Sequence, residues 1–171
     1  MQQLAHLLSE AKKGTKELKA LNGALKKAIP FNKPHKIKVL SISDNDVKTK
    51  IPFKKKNWNH IQGVHACGLA TAAEFASGVL ILSRVNPAKY RIIMQKMEVE
   101  YVYQAKSDIV AAFTMTEEVL AKEIMEPLET QDAVMFEASI VLTDEKDVLV
   151  AKAKTTWQIK SWEKVKMQLE K

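Results

Sequence analysis

The stretch VHACGLATAAEFASGVLIL, residues 64–82, decides the fold of this chain. Among its side chains only His65 and Glu74 commonly carry a charge, and the other positions are apolar or small all round the helical turn. A helix that is apolar on every side either lies in a protein core or spans a membrane. We exclude the membrane, because Glu74 would lie at mid-bilayer and because Ala and Gly outnumber Leu and Ile. The stretch therefore predicts a helix buried in the core of a soluble protein.

Segments with one apolar face lie on both sides of this stretch in the sequence. Apolar and polar residues alternate over residues 37–41, 47–53, 97–103, 109–115, 134–142 and 149–159. Alternation with a period of two predicts an antiparallel sheet with one covered face and one face in solvent. At the amino end, Leu and Ala recur at helical spacing over residues 2–28. This spacing predicts one amphipathic helix, or two that are broken at Gly14.

The order of these elements predicts an α+β fold. The apolar face of a sheet must be covered, and the helix at 64–84 is the only element apolar enough to be wrapped. We therefore expect an antiparallel sheet of about five to six strands around a central buried helix, which is the hotdog arrangement. We divide the chain into an N-terminal amphipathic helical segment, residues 1–30, and a hotdog domain, residues 31–171. Pairing of an outer sheet edge with a second copy would give a homodimer, and further pairing a tetramer.

The charge of the chain bears on its partners. The formal net charge of +7 favours anionic partners, such as a phosphorylated group, an acidic carrier protein, nucleic acid or a membrane surface. Nearly all of the basic residues are Lys, and the only Arg are Arg84 and Arg91. Since Arg is the usual reader of bases, and no RNA-binding motif or zinc-ligand spacing is present, we expect no nucleic-acid partner and no metal site.

The lone cysteine and the amino-terminal residues indicate a compartment. Cys67 has no partner for an intrachain disulfide. Residues 1–28 lack the unbroken apolar core and the cleavage site of a signal peptide. We therefore expect a cytoplasmic protein without a membrane span.

Residues 57–74, NWNHIQGVHACGLATAAE, combine a polar loop with the start of the buried helix. The first turn of a helix offers unpaired backbone N–H groups and the positive end of the helix dipole. Here those groups would belong to about residues 65–68, and they could polarise a carbonyl. Glu74 lies two turns further along, among apolar neighbours. A carboxylate in such surroundings needs a partner or a raised pKa, and it is a common form of catalytic base.

Three other side chains in this region each have two possible roles. His65 could donate a hydrogen bond to a substrate carbonyl, or it could cap the helix. His60 could serve as an acid or base, or it could be a polar loop residue. Cys67 could be an activated thiolate at the helix start, but a buried Cys is usually inert and the sequence places no base beside it.

The positions of Asn59, Gly63, His65 and Glu74 resemble a motif of the hotdog thioesterase superfamily. The closest likeness is to the phenylacetate-degradation branch and its uncharacterised relatives, in which an Asn, a Gly and a His-Gly-Gly precede a carboxylate nine residues after the His. The resemblance implies thioester hydrolysis, with Glu74 as general base or nucleophile and with Asn59 and His65 positioning the thioester. It also implies an acyl-CoA substrate bound at a dimer interface, with coenzyme A as part of the substrate and no separate cofactor. An acyl-carrier thioester is the alternative substrate.

The same resemblance implies a set of residues near the substrate. They are Gly63, Ala66, Cys67, Gly68, His60 and Ser77. Ala66 and Cys67 stand where the motif has two glycines, and side chains at these positions could narrow the site.

Two other functions fit the same fold. Hydroxyacyl-thioester dehydratases pair a loop His with a helix Glu fourteen residues later, and His60 and Glu74 have this spacing, although the prolines of the dehydratase loop are absent. A non-catalytic acyl-CoA-binding or lipid-binding protein could keep the fold without the chemistry.

Overall fold

A single antiparallel sheet wraps around one central helix in this protein. The structure is a computed structural model that describes residues 2–165. The strands are β1 (Lys38–Ile42), β2 (Asp46–Ile51), β3 (Tyr90–Tyr101), β4 (Ile109–Thr114), β5 (Ala133–Thr143) and β6 (Leu149–Ser161). They lie in the order β1-β2-β4-β5-β6-β3, and every neighbouring pair is antiparallel. The predicted α+β architecture is therefore confirmed.

The α-helices lie before β1 and between the strands in the sequence. They are α1 (Gln2–Glu10), α2 (Thr15–Ala28), α3 (Asn32–His35), α4 (Ala66–Arg84), α5 (Glu117–Leu120) and α6 (Glu126–Thr130). The predicted break at Gly14 separates α1 from α2. A π-helical turn over Ala121–Met125 joins α5 to α6. Thr116 caps the first turn of this last helical segment, and Leu120 and Ile124 bury its inner side, but its short pieces carry too few periodic positions to predict a helix.

The central helix α4 is the predicted buried helix. From Ala72 onward it is buried at every position to Ile81 except Glu74. Small residues let it approach the sheet closely: a Cβ atom on Gly68 would lie 2.8 Å from Ile51 Cδ1, and one on Gly78 would lie 3.0 Å from the Trp157 ring. The helix is long and apolar enough to cross a membrane, but it is packed inside the sheet, where it contributes to the core.

The two edges of the sheet differ. At the β1 edge, the side chain of Asn22 on α2 pairs with the backbone of Val39, donating to its carbonyl at 2.9 Å and accepting from its N–H at 2.8 Å. At the other edge, β3 bonds only to β6 among residues 2–165. The strand at this edge begins at Tyr90, earlier than the predicted 97, because a bulge at Gln95 shifts the period-two alternation.

The amino-terminal helices share the core of the sheet. Leu8, Leu21 and Leu25 are buried in the same cluster as the side chains of α4 and the strands. A domain division after residue 30 stays a prediction, and both Met1 and residues 166–171 lie outside the described part of the chain.

Candidate active site

The loop before α4 is held in a closed shape by its own backbone and by Asn59. The backbone N–H of Asn59 donates to the Gly63 carbonyl at 2.8 Å, and its side-chain Oδ1 accepts from the N–H groups of Ile61 and Gly63. Gly63 is buried, and a Cβ atom there would lie 3.2 Å from the Ala105 carbonyl oxygen. Asn59 and Gly63 thus shape the approach to the helix, and neither lines the cavities described below.

The backbone amides at the helix start are mostly engaged. The N–H of His65 donates to the Asn57 carbonyl at 2.7 Å, and that of Gly68 donates to the His65 carbonyl at 2.8 Å. The N–H of Cys67 donates to Nδ1 of the His65 ring at 3.1 Å, so His65 is the side-chain cap of α4. Of the four amides that the sequence suggested, only that of Ala66 has no acceptor within residues 2–165. One free donor therefore stands at the positive end of the helix dipole.

The capping bond fixes the tautomer of His65. A ring nitrogen that accepts a hydrogen bond carries no proton, so the neutral ring holds its proton on Nε2. The exposed ring can therefore donate from Nε2 while it caps the helix with Nδ1. Both readings of His65, cap and donor, are compatible in one side chain.

Asn57, which the sequence did not indicate as a site residue, connects the elements around the site by hydrogen bonds. Asn57 is 4% exposed, and its Nδ2 donates to the carbonyls of His35 and Pro52 at 3.0 Å and 2.8 Å. Its Oδ1 lies 3.0 Å from His35 Nδ1, and its own carbonyl receives the His65 amide. Asn57 thus joins α3, the end of β2 and the start of α4. No sequence pattern distinguishes Asn57 from Asn59 in the loop KKKNWNH, residues 54–60.

A cavity of about 240 Å³ opens beside the start of α4, and we name it the helix-tip cavity. Its lining residues are Phe31, His35, Lys56, Asn57, Trp58, His65, Cys67, Gly68 and Thr71. The indole N–H of Trp58 is buried in its wall and has no hydrogen-bond acceptor in the described part of the chain. Cys67 is exposed at this cavity, so its side chain occupies space that a glycine of the related motif would leave open.

Glu74 lies on the stripe of α4 that the sheet leaves uncovered. Cys67, Thr71 and Glu74 follow one another at helical spacing, and each keeps some exposure while the residues beyond them are buried. The Glu74 carboxyl is half-buried, and this burial raises its pKa above the usual 4.5. No hydrogen bond or ion pair to its side chain occurs within residues 2–165. A carboxyl kept partly out of water without a counter-charge holds a proton more readily than an exposed one, which suits it to act as a general base.

Of the six expected substrate residues, Cys67 and Gly68 line the helix-tip cavity, whereas Gly63, Ala66, His60 and Ser77 do not, and Glu74 lines neither cavity near α4. Ser77 is fully buried, where its hydroxyl bonds the Ala73 and Glu74 carbonyls and receives bonds from Thr155 and Trp157. This placement argues against contact with a substrate, because the hydroxyl is used to bind the helix to β6. His60 is exposed in the loop turn and lines neither of the cavities near α4.

The role of Asn57 leads to a prediction. We expect Asn57→Ala to lower the free energy of unfolding by about 2–3 kcal/mol, because two carbonyls would lose their donor at a buried position. Asn59→Ala is the matched control. It should cost no more than about 1 kcal/mol, since water can replace an acceptor at that partly exposed loop. Urea unfolding followed by circular dichroism measures both; equal losses would contradict the clamping role of Asn57.

Comparison with known proteins identifies the family of this chain. A family described as a domain of unknown function, DUF4442, matches residues 18–159. The protein is a member of the DUF4442 family. The match spans α2 through most of β6 and so includes the whole candidate site. A search of curated proteins found no match to this DUF4442 protein.

Solved structures with the same architecture are named as thioesterases. A Pseudomonas aeruginosa protein described as a probable thioesterase matches with a TM-score of 0.75 and 24% identity, over 82% of this chain and 93% of that one. A Staphylococcus aureus thioesterase matches with a TM-score of 0.63 and 14% identity, over 77% and 98% of the two chains. A Haemophilus influenzae thioesterase matches with a TM-score of 0.67 and 11% identity, over 88% and 95%. At these identities the likeness shows the fold alone, and it confirms that this DUF4442 protein has the predicted hotdog fold.

Proposed function

We propose that this protein hydrolyses an acyl thioester, with Glu74 as the general base. The observation that carries the proposal is a half-buried carboxyl of raised pKa on the uncovered stripe of the core helix that also presents a free amide. The thioesterases among its structural neighbours support the same class of reaction. In this proposal the Ala66 N–H polarises the thioester carbonyl, and Glu74 removes a proton from the attacking water.

The spacing along α4 suits these two roles. Eight residues separate Ala66 from Glu74, which corresponds to a rise of about 12 Å. Long side chains of a helix lean back toward its amino end, so the Glu74 carboxylate lies closer to the amide than its Cα does. In this proposal the thioester carbonyl and the attacking water lie between the two groups. The His65 Nε2–H and the Trp58 indole N–H offer two more donors at the helix-tip cavity.

We further propose that the working form is a homodimer joined at the β3 edge. This strand has no partner on its outer side within residues 2–165, and large apolar side chains near it are exposed, among them Ile93, Val102 and Tyr103. An open edge of this length favours pairing with a second copy. Such a copy would approach the uncovered stripe of α4 and enclose Glu74 further. Light scattering should give a mass of twice 19.3 kDa; a monomer at micromolar concentration would contradict the proposal.

Release of free thiol from a panel of acyl-CoA compounds with short, medium, long and aromatic acyl groups tests the hydrolase. Turnover that depends on Glu74 supports it. Wild-type protein that is inactive across the whole panel, and remains inactive with acyl-carrier thioesters, contradicts it.

A non-catalytic acyl-CoA binder is the second candidate. The observation in its favour is the Cys67 side chain at the helix-tip cavity, where the related motif has glycine. Thermal stabilisation by acyl-CoA without turnover would support the binder. The dehydratase has weaker support, because His60 is exposed away from both cavities. For each candidate we expect a cytoplasmic location, in keeping with the lone Cys67.

A further inference from the structure

A second and larger cavity lies between the amino-terminal helices and the core helix. Its volume is about 610 Å³, within the range of about 300–1,000 Å³ that is usual for small-molecule sites. We name it the lysine-rimmed cavity. Its lining residues are Asn22, Leu25, Lys26, Asn32, Lys33, Pro34, Lys36, Ile37, Lys38, Lys56 and Phe75.

The charge of this lining is entirely of one sign. Five lysines line the cavity, and no Asp or Glu does. None of these five lysines makes an ion pair with a carboxylate within residues 2–165. Elsewhere in the chain exposed lysines do pair, as Lys96 does with Glu98 and Lys154 with Glu137. A cavity with such a rim attracts a ligand that carries several negative charges.

The floor of the cavity is apolar, with one unusual polar group. Leu25, Ile37 and Phe75 are buried at 9% exposure or less and offer flat apolar contact. Asn32 is 4% exposed, and within residues 2–165 neither its Oδ1 nor its Nδ2 has a hydrogen-bond partner. A buried amide without partners costs free energy, and a ligand that offers both a donor and an acceptor would recover it. The Watson–Crick and Hoogsteen edges of adenine present such a pair, and Asn is the side chain that matches them.

The lysine-rimmed cavity adjoins the helix-tip cavity. Lys56 lines both, and Phe31 of one precedes Asn32 of the other. On α4, Thr71 lines the helix-tip cavity, and Phe75, one turn later, lines the lysine-rimmed cavity. A ligand with its reactive group at the helix tip could therefore extend along α4 into the larger cavity.

We infer that the lysine-rimmed cavity binds the 3′-phosphoadenosine diphosphate end of coenzyme A. The phosphates contact the lysine rim, the adenine lies on the apolar floor, and the Asn32 amide pairs with the edge of the base. This inference rests on the proposed function for the identity of the ligand, and it selects coenzyme A over a carrier protein as the acyl carrier. The nucleotide part is also testable by itself.

The binding experiment uses adenosine 3′,5′-bisphosphate as probe and titration calorimetry of the full chain as readout. We expect the double variant Lys33→Glu/Lys36→Glu to weaken binding at least tenfold. The control Lys48→Glu/Lys106→Glu changes the net charge equally at exposed lysines away from the cavity, and it should change the affinity less than threefold. Equal losses in both variants would overturn the inference, because they would indicate attraction to the overall charge.

A third variant tests the base contact. Asn32→Leu replaces the unpaired amide with an apolar group of similar size, so the fold should be kept. We expect weaker binding of adenosine bisphosphate and unchanged binding of pyrophosphate. Equal binding of both probes by the wild-type protein would overturn the adenine contact. Binding of octanoate or palmitate in place of any nucleotide would also overturn the inference and assign the cavity to a fatty acid.

Thioesters that lack the nucleotide separate this inference from the proposed function. The ratio of kcat/KM for an acyl-CoA to that for the matching N-acetylcysteamine thioester should fall at least tenfold in the Lys33→Glu/Lys36→Glu variant. If the wild-type protein hydrolysed the acyl-CoA and the N-acetylcysteamine thioester equally well, the nucleotide site would be overturned and the proposed hydrolase activity would still be supported. Nucleotide binding without hydrolysis of either thioester would support the nucleotide site and contradict the proposed hydrolase activity.

Discussion

Glu74→Gln is expected to lower kcat for thioester hydrolysis by about 10²–10⁴-fold, the usual contribution of a general base. Glutamine keeps the size and the hydrogen-bonding shape of the side chain but does not accept a proton. The change should therefore act on kcat and leave the binding of acyl-CoA nearly unchanged. Glu145→Gln, at an exposed turn position, is the matched control and should retain full activity.

The pH dependence gives an independent check on the same residue. Burial raises the pKa of Glu74 above 4.5, so the base becomes protonated at a higher pH than an exposed Glu would. Hydrolysis should consequently fall on the acid side with a midpoint above 4.5, and this limb should be missing from the residual activity of the Gln variant. Retention of wild-type kcat, or an unchanged acid limb, would show that another group is the base.

The raised pKa also has a consequence for stability. The folded state disfavours the ionised carboxylate, so the contribution of Glu74 to stability is complete below pH 4.5 and is lost as the pH rises through the folded-state pKa. Glu74→Gln removes this loss. The stability of the variant relative to the wild type should therefore be greater at pH 7 than at pH 4 when both are unfolded in urea.

Trp157→Ala is expected to cost about 3–5 kcal/mol of unfolding free energy. The Trp157 ring is buried against Gly78, whose missing side chain makes room for it. Its indole N–H donates to Ser77 Oγ at 3.1 Å and to Thr155 Oγ1 at 3.0 Å. Alanine would leave a cavity between α4 and β6 and would remove the donor from two buried hydroxyls.

Trp157→Phe is the control for this prediction. It keeps much of the ring and removes the N–H, so it should cost about 1–3 kcal/mol, the penalty for unsatisfied buried groups. Urea unfolding followed by far-ultraviolet circular dichroism, with the m-value checked for constancy, measures both variants. A loss below about 1 kcal/mol for Trp157→Ala would contradict the close packing of helix and strand at Gly78.

Much of the fold could be predicted because its signals are local. The all-round apolar character of residues 64–82 and the period-two alternation of the strands depend only on neighbours in the chain. The start of β3 was wrong because a bulge at Gln95 interrupts the alternation that defines the strand. The helical turns between β4 and β5 received no prediction, since their short pieces carry too few periodic positions.

The site was harder to predict because its contacts are distant in sequence. The positions of His65 and Glu74 at the helix start and on the core helix followed from spacing. Asn57 is important through bonds to His35 and Pro52, and no spacing rule announces such a junction. Ser77 shows the reverse case: the family resemblance implied substrate contact, but the hydroxyl pairs with Thr155 through the packing of β6, which no local pattern reveals.

The bond pair between Asn22 and Val39 limits how far the sheet can grow. A sheet that is open at both ends can add neighbours without end, which leads to fibres. Here the Asn22 side chain occupies the hydrogen-bonding groups of Val39 at the β1 edge, which hinders strand addition there and leaves the β3 edge open. In the proposed dimer, strand addition at the β3 edge would therefore end at two chains, and we expect loss of the Asn22 amide to favour longer assemblies by freeing the Val39 groups.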